Sequence, residues 1–277
     1  MLPALVACFV LTGIHVYLGI HVLARGVIFV DLALAQVAAL GATVALLWGA
    51  EPGGVDSYLV SLGFTMVGAL LFTFARALAD RVPVEAIIGI VYAVASATAI
   101  ILADRLPHGA DQIREILVGN LLAVTWPHIA KTAAIYALVG AVHFVFRREF
   151  FLVSTDPERA QAQGLKIAWW DLLFYLSFGF VITSSVAIGG VLVVFSFLVI
   201  PAVVVALFAR GLLARLLAGW AVGMAGSVLG MIASFELDLP TGAAVVATFG
   251  ALLAAAIVAS LFVRRARFGE DAAGAAK

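Results

Sequence analysis

The first two long apolar stretches of the chain contain a carboxylate, an amide and an imidazole that could together bind a cation. Asp31 and Gln36 belong to the stretch at about residues 27–49, and His15 lies near the middle of the stretch at about 2–24. A charged side chain at the centre of a membrane costs at least about 2.5 kcal/mol, so such a residue is a functional candidate. Carboxylate, imidazole and amide groups are also ligands for divalent cations. The three residues therefore predict a weak, transient cation site.

Each of these residues also has a structural interpretation. Asp31 lies near the start of a predicted helix and close to Arg25, where the helix dipole favours a carboxylate. His15 and His21 are six residues apart, on nearly opposite faces of one helix, so a single ion cannot bind both. Each histidine can instead make a polar contact between helices. The cation site and these structural roles both stay open.

Four further polar residues lie outside the apolar stretches. His108 and Asp111 are three residues apart in the loop at 104–127, and Glu236 and Asp238 flank the end of a later apolar stretch. A carboxylate cluster near a membrane surface attracts cations, but it can equally remain hydrated. We expect these four residues to be where ions first reach the protein.

The composition excludes a soluble globular domain. Of 277 residues, 65% are hydrophobic and 12% are charged, and the mean hydropathy is +1.18. Backbone amides in lipid need partners within their own segment, so long apolar runs predict helices. We expect one all-α, polytopic membrane domain over 1–277, with a polar tail at 264–277. Its nine apolar windows are about 2–24, 27–49, 58–75, 86–103, 129–146, 168–188, 191–209, 211–234 and 241–263.

The helix count depends on Ile188-Gly189-Gly190, which separates two of these windows and decides between eight and nine crossings. With nine crossings, thirteen of the sixteen basic residues fall on the side of the 147–166 segment, and Arg105, Arg114 and Lys131 fall on the other. Basic residues concentrate in cytoplasmic loops. The bias predicts an N-terminus outside and a C-terminus in the cytoplasm.

The 147–166 segment contains the signals of a short helix outside the bilayer. Asp156 suits its N-cap, Pro157 its first position, Glu158 its positive end, and Gly164 its termination. Such a helix is either an ordinary connection or a rigid element that receives force from a soluble ATPase. The sequence contains no P-loop, so any ATP hydrolysis belongs to a separate subunit. The only cysteine is Cys8, which excludes an internal disulfide.

Five segments in order resemble the permease family of zinc and manganese ABC importers, over about Leu11 to Phe262. They are EAIIGIVYA (85–93), ILVGNLLAVT (116–125), DPERAQAQG (156–164), GVLVVFSFLVIPA (190–202) and LDLPTGA (237–243). The resemblance implies the ABC importer permease architecture in the bacterial inner membrane. It also implies a homodimer with ABC ATPase subunits and an extracytoplasmic solute-binding protein, with no nucleic acid partner, bound cofactor or catalytic residue.

The resemblance assigns ATPase coupling to Asp156, Pro157, Glu158, Arg159 and Gly164, and zinc or manganese as the cargo. Family members carry an Asp and, four residues later, a His near the start of the second helix. In this chain Gln36 takes the His place and Asp31 lies one residue early. This departure keeps open the same architecture for another solute, such as a metal chelate. An ion-coupled secondary transporter is a further alternative, although it would need more buried ionisable residues.

Overall fold

A computed structural model describes residues 1–79, 81–107, 109–119 and 121–275 of the chain, and the side chains of 77, 110, 112, 113, 115 and 263–275 are not described. The described residues form helices and no strand, which confirms the predicted all-α class. A single 3₁₀ turn, Leu121–Ala123, precedes α6. The α-helices are α1 (Leu2–Arg25), α2 (Val30–Leu47), α3 (Val55–Ala77), α4 (Val84–Ala103), α5 (Gly109–Val118), α6 (Trp126–Val145), α7 (Arg147–Thr155), α8 (Pro157–Ala162), α9 (Ile167–Phe208), α10 (Leu212–Glu236) and α11 (Thr241–Ala275).

Eight helices in the described part of the chain are long and apolar enough to cross a membrane. One of them, α9, has 42 residues and is interrupted at Gly190, whose φ of 72° and ψ of 169° are not helical. A side chain disfavours this left-handed φ, whereas glycine adopts it freely. The helix therefore bends sharply at the Gly189-Gly190 pair.

The two arms of α9 run in opposite directions along α1. In the first arm, Ser185 lies 3.1 Å from His15, and Gly189 packs beside Leu11. In the second arm, the Leu198 backbone packs directly on Gly19. The first arm therefore runs antiparallel to α1 and the second arm returns along it. Counting both arms gives nine crossings in the described residues, as the nine apolar windows predict.

The bundle has two ends, named here by the residues that mark them. At the Gly190 end, Gly119 has a φ of 71° and packs against the backbone of Gly189 and Gly190. A Cβ at Gly119 would lie 2.2 Å from that backbone, so α5 seals the bend only because this residue is glycine. The segment from α5 to Gly119 is thus a short cover over the bend of α9. The opposite end contains Arg25 and is called the Arg25 end.

Small residues on α10 let it approach two neighbours. A Cβ at Gly223 would lie 2.6 Å from Thr12 Cγ2 on α1, and a Cβ at Gly230 would lie 2.6 Å from Val245 Cα on α11. Helices in lipid associate through such close packing, because no hydrophobic effect drives them together. α1, α2 and both arms of α9 form the interior, whereas α4 and α11 expose large apolar side chains, as lipid-facing helices do.

Candidate functional site

Asp31 is buried in the first turn of α2, at the Arg25 end of the bundle. Its side chain is completely inaccessible, and neither carboxylate oxygen has a hydrogen-bond partner among the described residues. α1 ends at Arg25, Gly26 turns the chain with a φ of 68°, and α2 begins at Val30. A buried carboxylate without a partner is costly. This position is therefore the one in the chain's first two helices where a cation would relieve an unbalanced charge.

Gln36 and His15 are buried too, but the structure shows no direct bond between them and Asp31. α2 is continuous from Val30 to Leu47, so Gln36 faces about 140° away from Asp31 on the same helix. His15 donates from Nδ1 to the Leu11 carbonyl at 2.7 Å, and its Nε2 lies 3.1 Å from the Ser185 hydroxyl. No group of three or more metal-binding side chains occurs in the described residues. A three-residue cation site thus stays a prediction.

A cavity of about 330 Å³ opens at the Gly190 end between α2, α3, α6 and α9. Its polar lining consists of hydroxyl groups, including Ser57, Ser61, Thr183 and Ser184, together with His128 and Lys131. None of the described residues that line it carries a carboxylate, and Asp31, Gln36 and His15 do not reach it. The Lys131 ammonium lies 3.7 Å from the centre of the Tyr58 ring, and the Tyr58 hydroxyl lies 3.0 Å from that of Ser184. These contacts were not predicted from the sequence.

The four polar residues that we expect to be where ions first reach the protein do not form one cluster among the described residues. His108 lies outside the described residues. Asp111 is exposed in the first turn of α5, whereas Glu236 ends α10 and Asp238 follows it, both exposed. All three lie at the Gly190 end, and their role in ion capture stays a prediction.

The short helix predicted in the 147–166 segment is present as α8. The Asp156 carboxylate accepts a hydrogen bond from the Arg159 backbone N–H at 3.0 Å, and Pro157 occupies the first helical position. Gly164 follows the helix with a φ of 83°. The sequence did not indicate α7, which precedes α8 and packs Phe150 and Val153 into the interior.

Beside α8 lies a groove, called here the α8 groove, that reaches the end of α3. It is lined by Pro157, Glu158 and Gln161 of α8, together with Arg76 and Lys166. Glu158, Arg159 and Gln161 are exposed, whereas Ala160 is fully buried against the bundle. The helix is therefore anchored by one face and presents a charged face outward.

A buried polar network at the Arg25 end is the feature that sequence reasoning missed. Asp171, five residues into α9, accepts hydrogen bonds from Arg25 at 2.5 Å and from Arg76 at 3.0 Å. Arg25 also donates from Nε to the Ser154 hydroxyl at 2.8 Å. The signal was available, because Asp171 lies at the edge of an apolar window, where a carboxylate needs a partner.

His21 and His143 extend this network into the interior. His21 Nδ1 lies 2.8 Å from the Ser154 hydroxyl, and His143 lies 2.8 Å from the Ser177 hydroxyl and stacks on Phe150. The predicted role of His21 as a polar contact between helices is thus observed. His143 was not singled out, because one histidine near the end of an apolar stretch has no distinctive spacing.

The long apolar helices and the charged ends of the bundle together define a multi-pass membrane protein. The fold is similar to that in a structure described as PsaBC from Streptococcus pneumoniae in complex with Fab. That match has a TM-score of 0.78 and 20% identity and covers 92% of this chain and 89% of that one. A second similar structure is described as an inward-facing conformation of a putative metal-chelate type ABC transporter, with a TM-score of 0.73 and 19% identity over 93% and 85% of the two chains.

The chain belongs to the ABC 3 transport family, whose family model matches residues 1–262. The manganese transport system membrane protein MntC of Listeria innocua is 30% identical over 202 residues, which are 70% of this chain and 71% of that protein. The manganese import system permease protein ScaB of Streptococcus gordonii is 24% identical over 245 residues, 88% and 86% of the two chains. The resemblance drawn from five sequence segments is confirmed, and the alternative of a secondary transporter finds no support.

Proposed function

We propose that this chain is the membrane permease of an ATP-driven importer of divalent transition metal ions, manganese or zinc. The observation that carries the proposal is the Asp31 carboxylate, buried and without a described partner, near the start of the second helix. A carboxylate binds manganese and zinc, and a site that lacks imidazole binds them weakly. Weak binding suits a conduit, because an ion that is held tightly is not released. Relatives named for manganese transport support this choice of cargo.

The Arg25 end faces the cytoplasm in this proposal, and the Gly190 end faces the outside of the bacterial inner membrane. The basic residues Arg25, Arg76, Arg81, Arg147 and Arg148 lie at the Arg25 end, as the positive-inside rule requires. The permease works as a homodimer with two ABC ATPases and an extracytoplasmic solute-binding protein. The solute-binding protein would deliver metal to the cavity at the Gly190 end.

The second candidate is an importer of the same architecture for a metal chelate. The observation in its favour is the cavity lining, where Lys131 and several hydroxyl groups occur without a carboxylate. An ammonium group repels a bare divalent cation and attracts an anionic ligand around it. The chelated iron transport system membrane protein YfeD of Yersinia pestis is 27% identical over 168 residues, which are 60% of this chain and 56% of that protein.

ATP-dependent uptake separates the two candidates. The permease is reconstituted in lipid vesicles with its cognate ATPase and solute-binding protein, and radioactive manganese, zinc and manganese citrate are supplied in turn. Uptake of the free ions that excess citrate suppresses supports the metal importer. Uptake that requires citrate supports the chelate importer, and no uptake of any of the three refutes both.

The coupling role of α8 is tested by reversing one charge. Glu158→Arg changes the exposed face of α8 and touches no membrane helix, so expression and insertion should be normal. If α8 docks into the ATPase, a like-charge contact should weaken co-purification of the ATPase and abolish uptake. Gln163→Arg, an exposed change just past the same helix, is the matched control. Normal co-purification together with normal uptake by Glu158→Arg would remove the coupling role from this helix.

A further inference from the structure

The polar network at the Arg25 end joins the helices beside the ATPase-facing segment to the helix that leads to Asp31. We call Arg25, Arg76, Ser154 and Asp171 the Asp171 network. One oxygen of Asp171 accepts from both arginines, and Arg25 also holds Ser154. These four residues lie on α1, α3, α7 and α9. The carboxylate ties three of these helices together, and Arg25 adds α7 through Ser154.

Stability alone does not account for this arrangement. The Arg25 side chain is completely buried and that of Asp171 is 2% exposed, so both lose their hydration. The attraction within a buried ion pair often fails to offset that loss, and apolar side chains of similar volume are commonly as stable or more so. Here two cations also share one anion, and Arg25 Nη2 has no partner among the described residues. What the network does provide is fixed geometry.

Arg25 is held in one orientation by three contacts on two helices, one on α7 and two on α9. Nη1 binds Asp171, Nε binds Ser154 at 2.8 Å, and the guanidinium carbon lies 4.0 Å from the centre of the Phe174 ring. A guanidinium is a rigid, planar donor, so binding two acceptors through different nitrogens sets the relative position of those acceptors. Movement of α7 relative to α9 must therefore move Arg25 or break one of its bonds.

The two outer connections of the network lead toward α8, one along the chain and one through the α8 groove. Ser154 lies two residues before Asp156, the N-cap of α8. Arg76 is 24% exposed; it binds Asp171 and also lines the α8 groove, as Glu158 does. A partner that docks on α8 would therefore act on the network through two independent side chains.

The inner connection of the network leads to the candidate cation site. Arg25 is the last residue of α1, and Asp31 follows it by six residues, after the turn at Gly26. α1 also carries His15, which contacts the first arm of α9. The same arginine thus fixes the base of α1 and the start of the link to α2.

We propose that the Asp171 network is the joint through which movement of α8 is transmitted to the α1–α2 link, with Asp171 and Arg76 as positioning residues. The proposal rests on the importer function proposed above. In one arrangement Asp171 holds both arginines, as observed here. When docking on α8 shifts α7 and the groove, the bonds of Arg25 and Arg76 rearrange and the α1–α2 link moves with them, as expected of packed interfaces that have discrete arrangements.

The test compares uptake per ATP hydrolysed in the reconstituted complex with its ATPase and binding protein. Asp171→Asn should retain ATPase docking and hydrolysis within twofold, while radioactive manganese taken up per ATP falls at least tenfold. Arg76→Gln keeps the Arg25–Asp171 pair, and its manganese uptake per ATP should fall at least threefold. Arg76→Lys should recover part of that loss. Arg210→Gln, an exposed arginine at the same end, is the control and should match the wild type.

A second readout does not depend on the cargo. Ala42 lines the cavity on α2, so Ala42→Cys in a Cys8→Ala background reports whether α2 moves during the ATP cycle. Labelling by a maleimide should differ between the resting and vanadate-trapped complexes of the wild type and should not differ with Asp171→Asn. If no metal is taken up, but the labelling difference is present and Asp171→Asn abolishes it, the proposed cargo fails while the joint is supported.

Two results would overturn the joint. In the first, both Asp171→Asn and Arg76→Gln take up as much metal per ATP as the wild type and show the same difference in labelling between the resting and trapped complexes. The other is parallel loss of ATPase docking, hydrolysis and uptake in Arg76→Gln, which would mean a purely structural role. If Asp171→Asn does not fold, Arg76→Gln decides the question, because its side chain is partly exposed and the buried ion pair remains.

Discussion

Replacement of Asp31 by Asn removes one buried negative charge and leaves the size of the side chain almost unchanged. Both carboxylate oxygens are buried and lack a hydrogen-bond partner in the described part of the chain, so the change breaks no described bond. An isolated buried carboxylate opposes folding. We therefore expect Asp31→Asn to insert normally and to unfold at the same temperature as the wild type or above it.

The effect on transport follows from the charge that the ion would meet. A unit charge 4 Å from another is worth about 4 kcal/mol at an effective dielectric constant of about 20, and a divalent ion doubles this figure. Most of that attraction is offset, because the ion gives up its own water to reach a buried carboxylate. A remaining net attraction of only about 1.4 kcal/mol still changes the rate of uptake tenfold. We expect metal uptake to fall at least tenfold.

The assay measures initial uptake of radioactive manganese and zinc in vesicles that contain the permease, the ATPase and the binding protein. Asp56→Asn is the matched control, because Asp56 also lies in the first turn of a membrane helix but is exposed. Its uptake should equal that of the wild type. Full uptake of both metals by Asp31→Asn would refute the site and leave Asp31 as an anion that favours a helix start.

Two further predictions concern orientation and packing. Single cysteines are introduced at the exposed positions Ala123 and Ala162 in a Cys8→Ala background. In intact cells an impermeant maleimide should label Ala123→Cys and not Ala162→Cys. Labelling of Ala162→Cys alone would show that the topology is the reverse of the one proposed. Gly19→Ala would place a Cβ 2.0 Å from the Leu198 carbonyl oxygen and should lower the free energy of unfolding by about 1–3 kcal/mol, whereas Gly13→Ala on the same helix meets nothing within 4 Å. Equal unfolding midpoints for the two variants would contradict this packing.

The nine crossings were predictable because lipid imposes one rule on every apolar run. A backbone without water must satisfy its own hydrogen bonds, so about 20 apolar residues specify a helix regardless of neighbours. Local signals also sufficed for α8, where Asp156 caps the helix and Pro157 begins it. The reversal at Gly190 was less certain from sequence, since a glycine pair can also lie within a straight helix.

The pairings within the bundle were not predictable in the same way. Asp171 meets Arg25 and Arg76 across 146 and 95 positions of the sequence, so no local spacing could connect them. Arg76 was counted only as a basic residue near a membrane surface, and Asp171 was not considered. A charge count locates a membrane surface, but partner choice depends on how the helices pack. A search for every carboxylate at the edge of an apolar window would have raised Asp171 as a candidate.

If metal passes from the cavity to Asp31 as proposed above, the separation of these two places requires a large movement during transport. On α2 the cavity lining begins at Ala38, seven residues beyond Asp31, a rise of about 10 Å along the helix axis. Leu34 and Gln36 lie between them and are buried, so an ion in the cavity has no described opening toward Asp31. Side-chain motion alone does not span that distance, whereas a shift of α2 against its neighbours would. The link that begins at Arg25 is where such a shift can be imposed from the α8 side. The labelling of Ala42→Cys should therefore change with the ATP state, and it should stop changing when the Asp171 network is broken.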